Sequence, residues 1–107
     1  MQKLLIADCS EAYRTALTAA LQSSYHVLSC RTGTEAWELL RRERPDIFIL
    51  DLMLPELDGL TLLERACADG LHPMVMAVTP LLSPYVFQCA QRLGIAYLVR
   101  KPCDIDA

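Results

Sequence analysis

Long apolar runs are missing from this 107-residue sequence. No run approaches the roughly 18 apolar residues that a membrane-spanning helix needs, and no basic segment with an apolar core precedes the first predicted strand. Hydrophobic residues make up 53% of the chain and charged residues 21%, which is typical of a folded domain and not of a disordered chain. We therefore expect one cytoplasmic domain, residues 1–107, with no membrane contact.

Excess positive charge and paired cysteines are also missing. The net charge of -3 gives no electrostatic reason to expect this domain to contact nucleic acid. The cysteines are odd in number and include no Cys-x-x-Cys pair, so neither a disulfide framework nor a zinc site is favoured. They are Cys9, Cys30, Cys67, Cys89 and Cys103. His26 and His72 are isolated, and neither is a candidate catalytic residue.

Short apolar segments alternate with helix-length segments along the chain. The predicted strands span residues 3–7, 25–30, 47–50, 74–78 and 96–99, and the predicted helices span 11–21, 34–42, 60–68 and 85–93. Strands separated by helices imply right-handed crossovers, which produce a parallel sheet with helices on both faces. The sequence therefore predicts a doubly wound α/β fold.

Helix-capping signals agree with this alternation. Thr32 and Glu35 have the spacing of a capping box before the second helix. Asp58 is placed to cap the third helix, and Ser83 followed by proline is placed to open the fourth. Gly94 follows the fourth helix, as glycine often does at a helix end.

Four of the predicted strands have a polar candidate site residue at or shortly after their carboxyl ends. These residues are Asp8, Asp51, Thr79 and Lys101. The carboxyl ends of parallel strands meet at one edge of a sheet, which is where such folds bind ligands. Two carboxylates, a hydroxyl and an ammonium suit phosphoryl transfer onto a carboxylate, because a divalent cation and the lysine offset the developing charge. Asp51, after a buried apolar segment, is the candidate nucleophile.

In this order, the motifs resemble the receiver domain of bacterial two-component response regulators. The resemblance covers the whole chain: an acid after strand one, Asp-x-x-x-Pro-x-x-Asp-Gly after strand three, Thr after strand four and Lys-Pro after strand five. It implies a flavodoxin-like five-stranded sheet in the order 2-1-3-4-5. It also implies a non-enzymatic signalling module that a histidine kinase or phosphotransfer protein phosphorylates. An output domain or downstream protein, as in transcription regulation, would read the change.

The resemblance implies a role for each matching residue of the switch. Asp51 resembles the phosphoacceptor, Thr79 the hydroxyl that moves onto the phosphoryl group, and Lys101 the cationic partner of that group. Tyr97 matches the family's switch aromatic. The Lys101–Pro102 peptide resembles one that is often cis in the family and orients the lysine.

The resemblance also implies a magnesium site on Asp8, Asp51 and the backbone carbonyl of Met53. Receivers usually carry two adjacent acids after strand one, and the second is normally a direct metal ligand, but this sequence has Cys9 there. Mg²⁺ prefers oxygen ligands, so a thiol is a poor substitute. We therefore expect weakened magnesium binding.

Pro80 and the length of the chain are further departures from the family. Pro80 stands where receivers usually have a small residue whose backbone N–H binds the phosphoryl group, and proline has no N–H. The sequence stops at Ala107, where receivers normally continue into a fifth helix. We expect that helix to be missing from this chain, which is then the N-terminal part of a longer regulator. The alternative is a partner, such as a second copy in a homodimer, that covers the bare sheet face.

Two other functions stay open. One is a phosphorylation-independent receiver that binds a partner through its fourth helix. The other is an enzyme or a cofactor-binding protein of similar fold, namely an aspartate-nucleophile phosphatase or a flavin-binding protein. The phosphatase pattern needs a second Asp where this sequence has Met53. Flavin binding needs a phosphate-cradling loop after strand one, but residues 8–11 contain no glycine and carry two acids.

Overall fold

A computed structural model describes residues 1–101, which form a parallel sheet flanked by helices. The strands are β1 (Lys3–Ala7), β2 (His26–Cys30), β3 (Ile47–Asp51), β4 (Met74–Thr79) and β5 (Tyr97–Arg100). The helices are α1 (Glu11–Leu21), α2 (Gly33–Glu43), α3 (Gly59–Ala68) and α4 (Pro84–Leu93). Within residues 1–101 the sheet has five strands in the order β2-β1-β3-β4-β5, which confirms the predicted fold. The predicted cis peptide before Pro102 and the missing fifth helix lie outside the described residues.

The predicted element boundaries agree with the structure to within one residue. The strands β3 and β4 run one residue further than predicted, to Asp51 and Thr79. Both residues are in register with a residue of the neighbouring strand, Asp51 with Val78 and Thr79 with Arg100. Strand pairing within the sheet, and not a loop, therefore holds the backbone of Asp51 and Thr79, two of the candidate site residues.

The predicted caps hold the helix starts. A side-chain oxygen accepts a backbone hydrogen bond from three residues ahead at Thr32, Asp58 and Ser83. Such a cap stabilises a helix by about 1 kcal/mol. In the box before α2, the Thr32 hydroxyl also donates to Glu35 Oε1 at 3.2 Å. Gly94 ends α4 in the left-handed conformation, with a φ of 71°.

The core lies on both faces of the sheet, because the central strands are apolar at nearly every position. On one face, Leu5, Phe48 and Leu50 pack under α2 and α3. On the other face, Ile6 and Ile49 pack in a cluster that α1 borders. These strands are therefore fixed from both sides, and so are the residues at their carboxyl ends. None of the helices among residues 1–101 is long and apolar enough to cross a lipid bilayer.

Candidate functional site

Asp8 and Asp51 lie at the carboxyl edge of the sheet with buried side chains. The two residues are 1% and 5% exposed. Asp8 Oδ1 accepts the Ser10 N–H at 2.8 Å, and Asp51 Oδ1 accepts the Met53 N–H at 2.9 Å. These bonds to the following backbone fix the orientation of both carboxylates.

Lys101 joins the two carboxylates. Its Nζ lies 2.7 Å from Asp8 Oδ2 and 2.9 Å from Asp51 Oδ2. Its backbone N–H donates to the Thr79 carbonyl oxygen at 2.8 Å, which ties the residue to the end of β4. The Nζ also lies 5.0 Å from the centroid of the Tyr13 ring, within cation–π range. Two carboxylates and an aromatic face therefore hold the ammonium at the predicted edge.

The pKa of Lys101 reflects two opposing effects. Partial burial lowers it, because water no longer solvates the ammonium fully. Hydrogen bonds and attraction from Asp8 and Asp51 outweigh burial, so the pKa is raised overall. The ammonium therefore stays charged at neutral pH and offsets the carboxylates.

The predicted switch residues Thr79 and Tyr97 lie in different surroundings. Thr79 is buried, and its hydroxyl accepts the Leu81 N–H at 3.2 Å and lies 3.4 Å from the Leu81 carbonyl oxygen. Pro80, between Thr79 and Leu81 in the sequence, is exposed. Tyr97 begins β5 and is 57% exposed, so its ring lies at the surface and not in the core. The Thr79 hydroxyl thus contacts the loop that follows β4. The roles of Thr79 and Tyr97 in a switch stay predictions.

Three candidate metal ligands converge at the site. One ligand atom each from Asp8, Cys9 and Asp51 lie within 4.8 Å of one another. Cys9 is exposed and carries a free thiol. The two carboxylates suit Mg²⁺, but sulfur is not a ligand that this hard cation favours, so the donor set fits Mg²⁺ poorly. The Met53 carbonyl as a further ligand stays a prediction.

Sequence reasoning missed three residues beside the site, all at the start of α1. Ser10 caps the helix by accepting the Tyr13 N–H at 3.2 Å. Tyr13 faces Lys101, and the Arg14 guanidinium donates to the Asp8 backbone oxygen at 2.7 Å. The signal that could find them is a capping residue two positions after Asp8, because it brings the first turn of α1 close to the strand end.

A sequence model of the response regulator receiver domain matches residues 4–107. The chain belongs to this receiver domain family. The receiver is 28% identical to sporulation initiation phosphotransferase F of Bacillus subtilis (strain 168), over 98% of this chain and 86% of that protein. It is 35% identical to transcriptional regulatory protein AfsQ1 of Streptomyces coelicolor, over 71% of this chain but only 34% of that protein.

A solved structure is similar to the receiver over nearly its whole length. It is the N-terminal domain of an uncharacterized protein from Wolinella succinogenes, with a TM-score of 0.92 and 28% identity. The match covers 99% of this chain and 86% of that one. Receiver domains of two-component systems interact with histidine kinases or phosphotransfer proteins and with output domains, and they generally bind Mg²⁺ at acidic residues. The sequence-based identification of the family is thus confirmed.

Proposed function

We propose that this receiver accepts a phosphoryl group on Asp51 from a histidine kinase or phosphotransfer protein, and that its α4–β5 surface changes in response. The supporting observation is the buried Asp51 carboxylate, held by the Met53 N–H on one oxygen and by the Lys101 ammonium on the other. A nucleophile that is oriented and paired with a cation is prepared for attack on phosphorus. The domain acts as a signal carrier and not as an enzyme with its own substrate.

The chemistry is an in-line displacement at phosphorus. A carboxylate oxygen of Asp51 forms a bond to phosphorus while the bond to the donor's leaving group, a histidine nitrogen, breaks. The product is an acyl phosphate, and the donor histidine regains a neutral ring. The phosphoryl oxygens then lie within reach of Lys101, whose ammonium offsets their charge.

The new charge acts on Thr79. Its hydroxyl leaves the Leu81 backbone, 3.2 Å away in the structure, and donates to a phosphoryl oxygen. The loop of residues 80–82 moves with it, and the exposed Tyr97 ring turns into the space that the loop leaves. This is a local charge event that biases a two-state surface.

The surface that changes carries several exposed apolar side chains. They are Leu81, Leu82, Tyr85, Phe87 and Tyr97. Apolar residues grouped in this way mark surfaces that partners bind. An output domain, a downstream protein or a second copy of the receiver would read the switch here.

Phosphorylation at Asp51 is tested by intact-mass spectrometry after incubation with acetyl phosphate and Mg²⁺. We expect a phosphoryl adduct on the native chain and none on Asp51→Asn, which keeps the size of the side chain but removes the nucleophilic carboxylate. An adduct that persists on Asp51→Asn would contradict the assignment of the phosphoacceptor.

A second candidate function, a phosphorylation-independent interaction module, is favoured by Cys9 and Pro80. Both replace parts of the phosphoryl-binding apparatus, as described above. An adduct on Cys9→Asp but not on the native chain would support this candidate and locate the defect at the metal ligands. Failure of both chains to form an adduct would contradict phosphoryl transfer to Asp51 altogether.

Pro80→Ala is expected to raise the fraction of the chain that carries a phosphoryl group at equilibrium with a phosphorylated phosphotransfer protein. The substitution returns a backbone N–H beside Thr79, at the position that binds the phosphoryl group in the family. A hydrogen bond to a charged group contributes roughly 1.5 to 3 kcal/mol, so the equilibrium constant for transfer should rise about tenfold or more. The measurement is the ratio of phosphorylated to free chain by mass spectrometry. Pro84→Ala, at the first position of α4, is the control and should leave this equilibrium constant unchanged.

A further inference from the structure

We propose that the Asp8–Cys9–Asp51 cluster, meaning these three side chains, binds a thiophilic divalent cation such as Zn²⁺ in preference to Mg²⁺. The starting observation is the disagreement between the family's cation and the donor atoms that this chain presents. The thiol sulfur and two carboxylate oxygens lie within 4.8 Å of one another. The inference concerns metal binding alone and holds whether or not Asp51 accepts a phosphoryl group.

The donor set matches zinc chemistry. Zn²⁺ binds thiolate sulfur at about 2.3 Å and carboxylate oxygen at about 2.0–2.2 Å, often with three protein ligands and one water. Mg²⁺ instead requires near-octahedral oxygen ligands at about 2.0–2.1 Å, which a sulfur atom at this position obstructs. One sulfur and two oxygens therefore favour a borderline or soft cation.

The geometry needs little rearrangement. A tetrahedral zinc with these bond lengths holds its ligand atoms about 3.5 Å apart, closer than the 4.8 Å limit of the cluster. Cys9 supplies the adjustment, because it is exposed and its sulfur swings about a single side-chain torsion. Backbone hydrogen bonds already orient Asp8 and Asp51 at this edge of the sheet. Each carboxylate oxygen has two lone pairs, which leaves capacity for a metal beside its hydrogen bond.

The charges of the site also favour a thiolate-bound cation. On binding, the metal displaces the thiol proton to water. The thiolate and two carboxylates then offset the divalent cation and the Lys101 ammonium, which lies within 2.9 Å of both carboxylates. With Mg²⁺ and a protonated thiol, the same groups would carry excess positive charge in a largely buried place, which is unfavourable.

The scattered cysteines of the sequence did not predict this site. Among the cysteines of residues 1–101, only Cys9 belongs to the cluster, and its partners come from the ends of β1 and β3, which meet because the strands are neighbours. Cysteine spacing is informative for sites with several cysteine ligands close in sequence. A mixed site assembled across a sheet edge has no such signature.

The test is a metal titration of the full chain under reducing conditions, with Co²⁺ as a spectroscopic probe and Zn²⁺ measured by competition. The native chain should develop a near-ultraviolet absorption band from thiolate-to-Co²⁺ charge transfer, and Cys9→Ser should not. The Zn²⁺ affinity of Cys9→Ser should fall more than about 100-fold, beyond the usual loss for residues that only orient ligands. Because Cys9 is exposed, circular dichroism should show Cys9→Ser to be folded.

Matched controls separate this site from other thiols. Cys30 and Cys89 are buried, whereas Cys67 is half-buried and Cys103 lies outside the described residues, so Cys67→Ser and Cys103→Ser are the controls. Both should retain the band and the Zn²⁺ affinity. Cys9→Asp should reverse the preference, with Mg²⁺ bound more tightly than by the native chain. Equal Zn²⁺ affinity in the native chain and Cys9→Ser, or a band that disappears in either control, would overturn the proposal.

Discussion

Gly33→Ala is expected to lower the free energy of unfolding by about 3 kcal/mol, the upper end of the usual range for overpacking. Gly33 is the first residue of α2, and its N–H donates to the Pro55 carbonyl oxygen at 3.0 Å. A Cβ at this position would overlap the Leu57 carbonyl oxygen and lie 2.6 Å from the Leu57 carbonyl carbon. Because the obstruction is backbone, the loop that follows Asp51 must move away from α2.

Chemical denaturation of Gly33→Ala and Gly70→Ala checks this expectation. Gly70 has no atom within 4 Å of the added carbon, although its φ of 73° is left-handed. The control should therefore lose only about 1 kcal/mol, the cost of holding alanine in that conformation. Equal losses in the two variants would mean that the close approach of α2 to the loop does not constrain the fold.

Lys101→Met is expected to lower the free energy of unfolding by about 3 kcal/mol at neutral pH, as expected when one partner of a buried ion pair is removed. The substitution leaves the Asp8 and Asp51 carboxylates buried and close together without the ammonium that now bridges them. Lys3→Met is the matched control, because Lys3 forms an ion pair with Glu43 at the surface. Exposed pairs contribute about 0.2–1 kcal/mol, so the control should change little.

The stabilisation by Lys101 should depend on pH in a defined direction. Its pKa is raised in the folded state, so the ammonium contributes fully below the ordinary lysine value of 10.5. The contribution is lost as the pH rises through the higher folded-state value. The gap in stability between the native chain and Lys101→Met should therefore narrow in strongly alkaline solution. If the difference in stability is the same at neutral and alkaline pH, the charge of Lys101 is not what stabilises the native chain.

Local signals explain why the fold could be predicted. Apolar segments such as residues 47–50 indicate buried strands, and caps such as Asp58 and Ser83 indicate helix starts, each within a few neighbouring residues. The inclusion of Asp51 and Thr79 in β3 and β4 could not be predicted in this way. It depends on where the adjacent strand ends, which is a property of the register of the whole sheet.

The sequence predicts which residues of the site lie close together, but it does not predict the contacts between their side chains. The parallel sheet brings Asp8, Asp51 and Lys101 to one edge, as topology requires. The bridging position of Lys101 between two carboxylates, and its approach to Tyr13, depend on side-chain torsions and on the first turn of α1. Sequence spacing carries no information about either, because the contacting residues are far apart along the chain.

The hydrogen bond between Asp8 and Lys101 links residues that are 93 positions apart in the sequence. Contacts between distant parts of a chain close late, because the entropy of a large loop must be overcome first. Lys101 directly follows β5, which pairs with β4 at one edge of the sheet, where local opening is easiest. During synthesis or after partial unfolding, the carboxylates thus acquire their cation only when β5 docks, so a half-folded receiver lacks the charge balance of the native site.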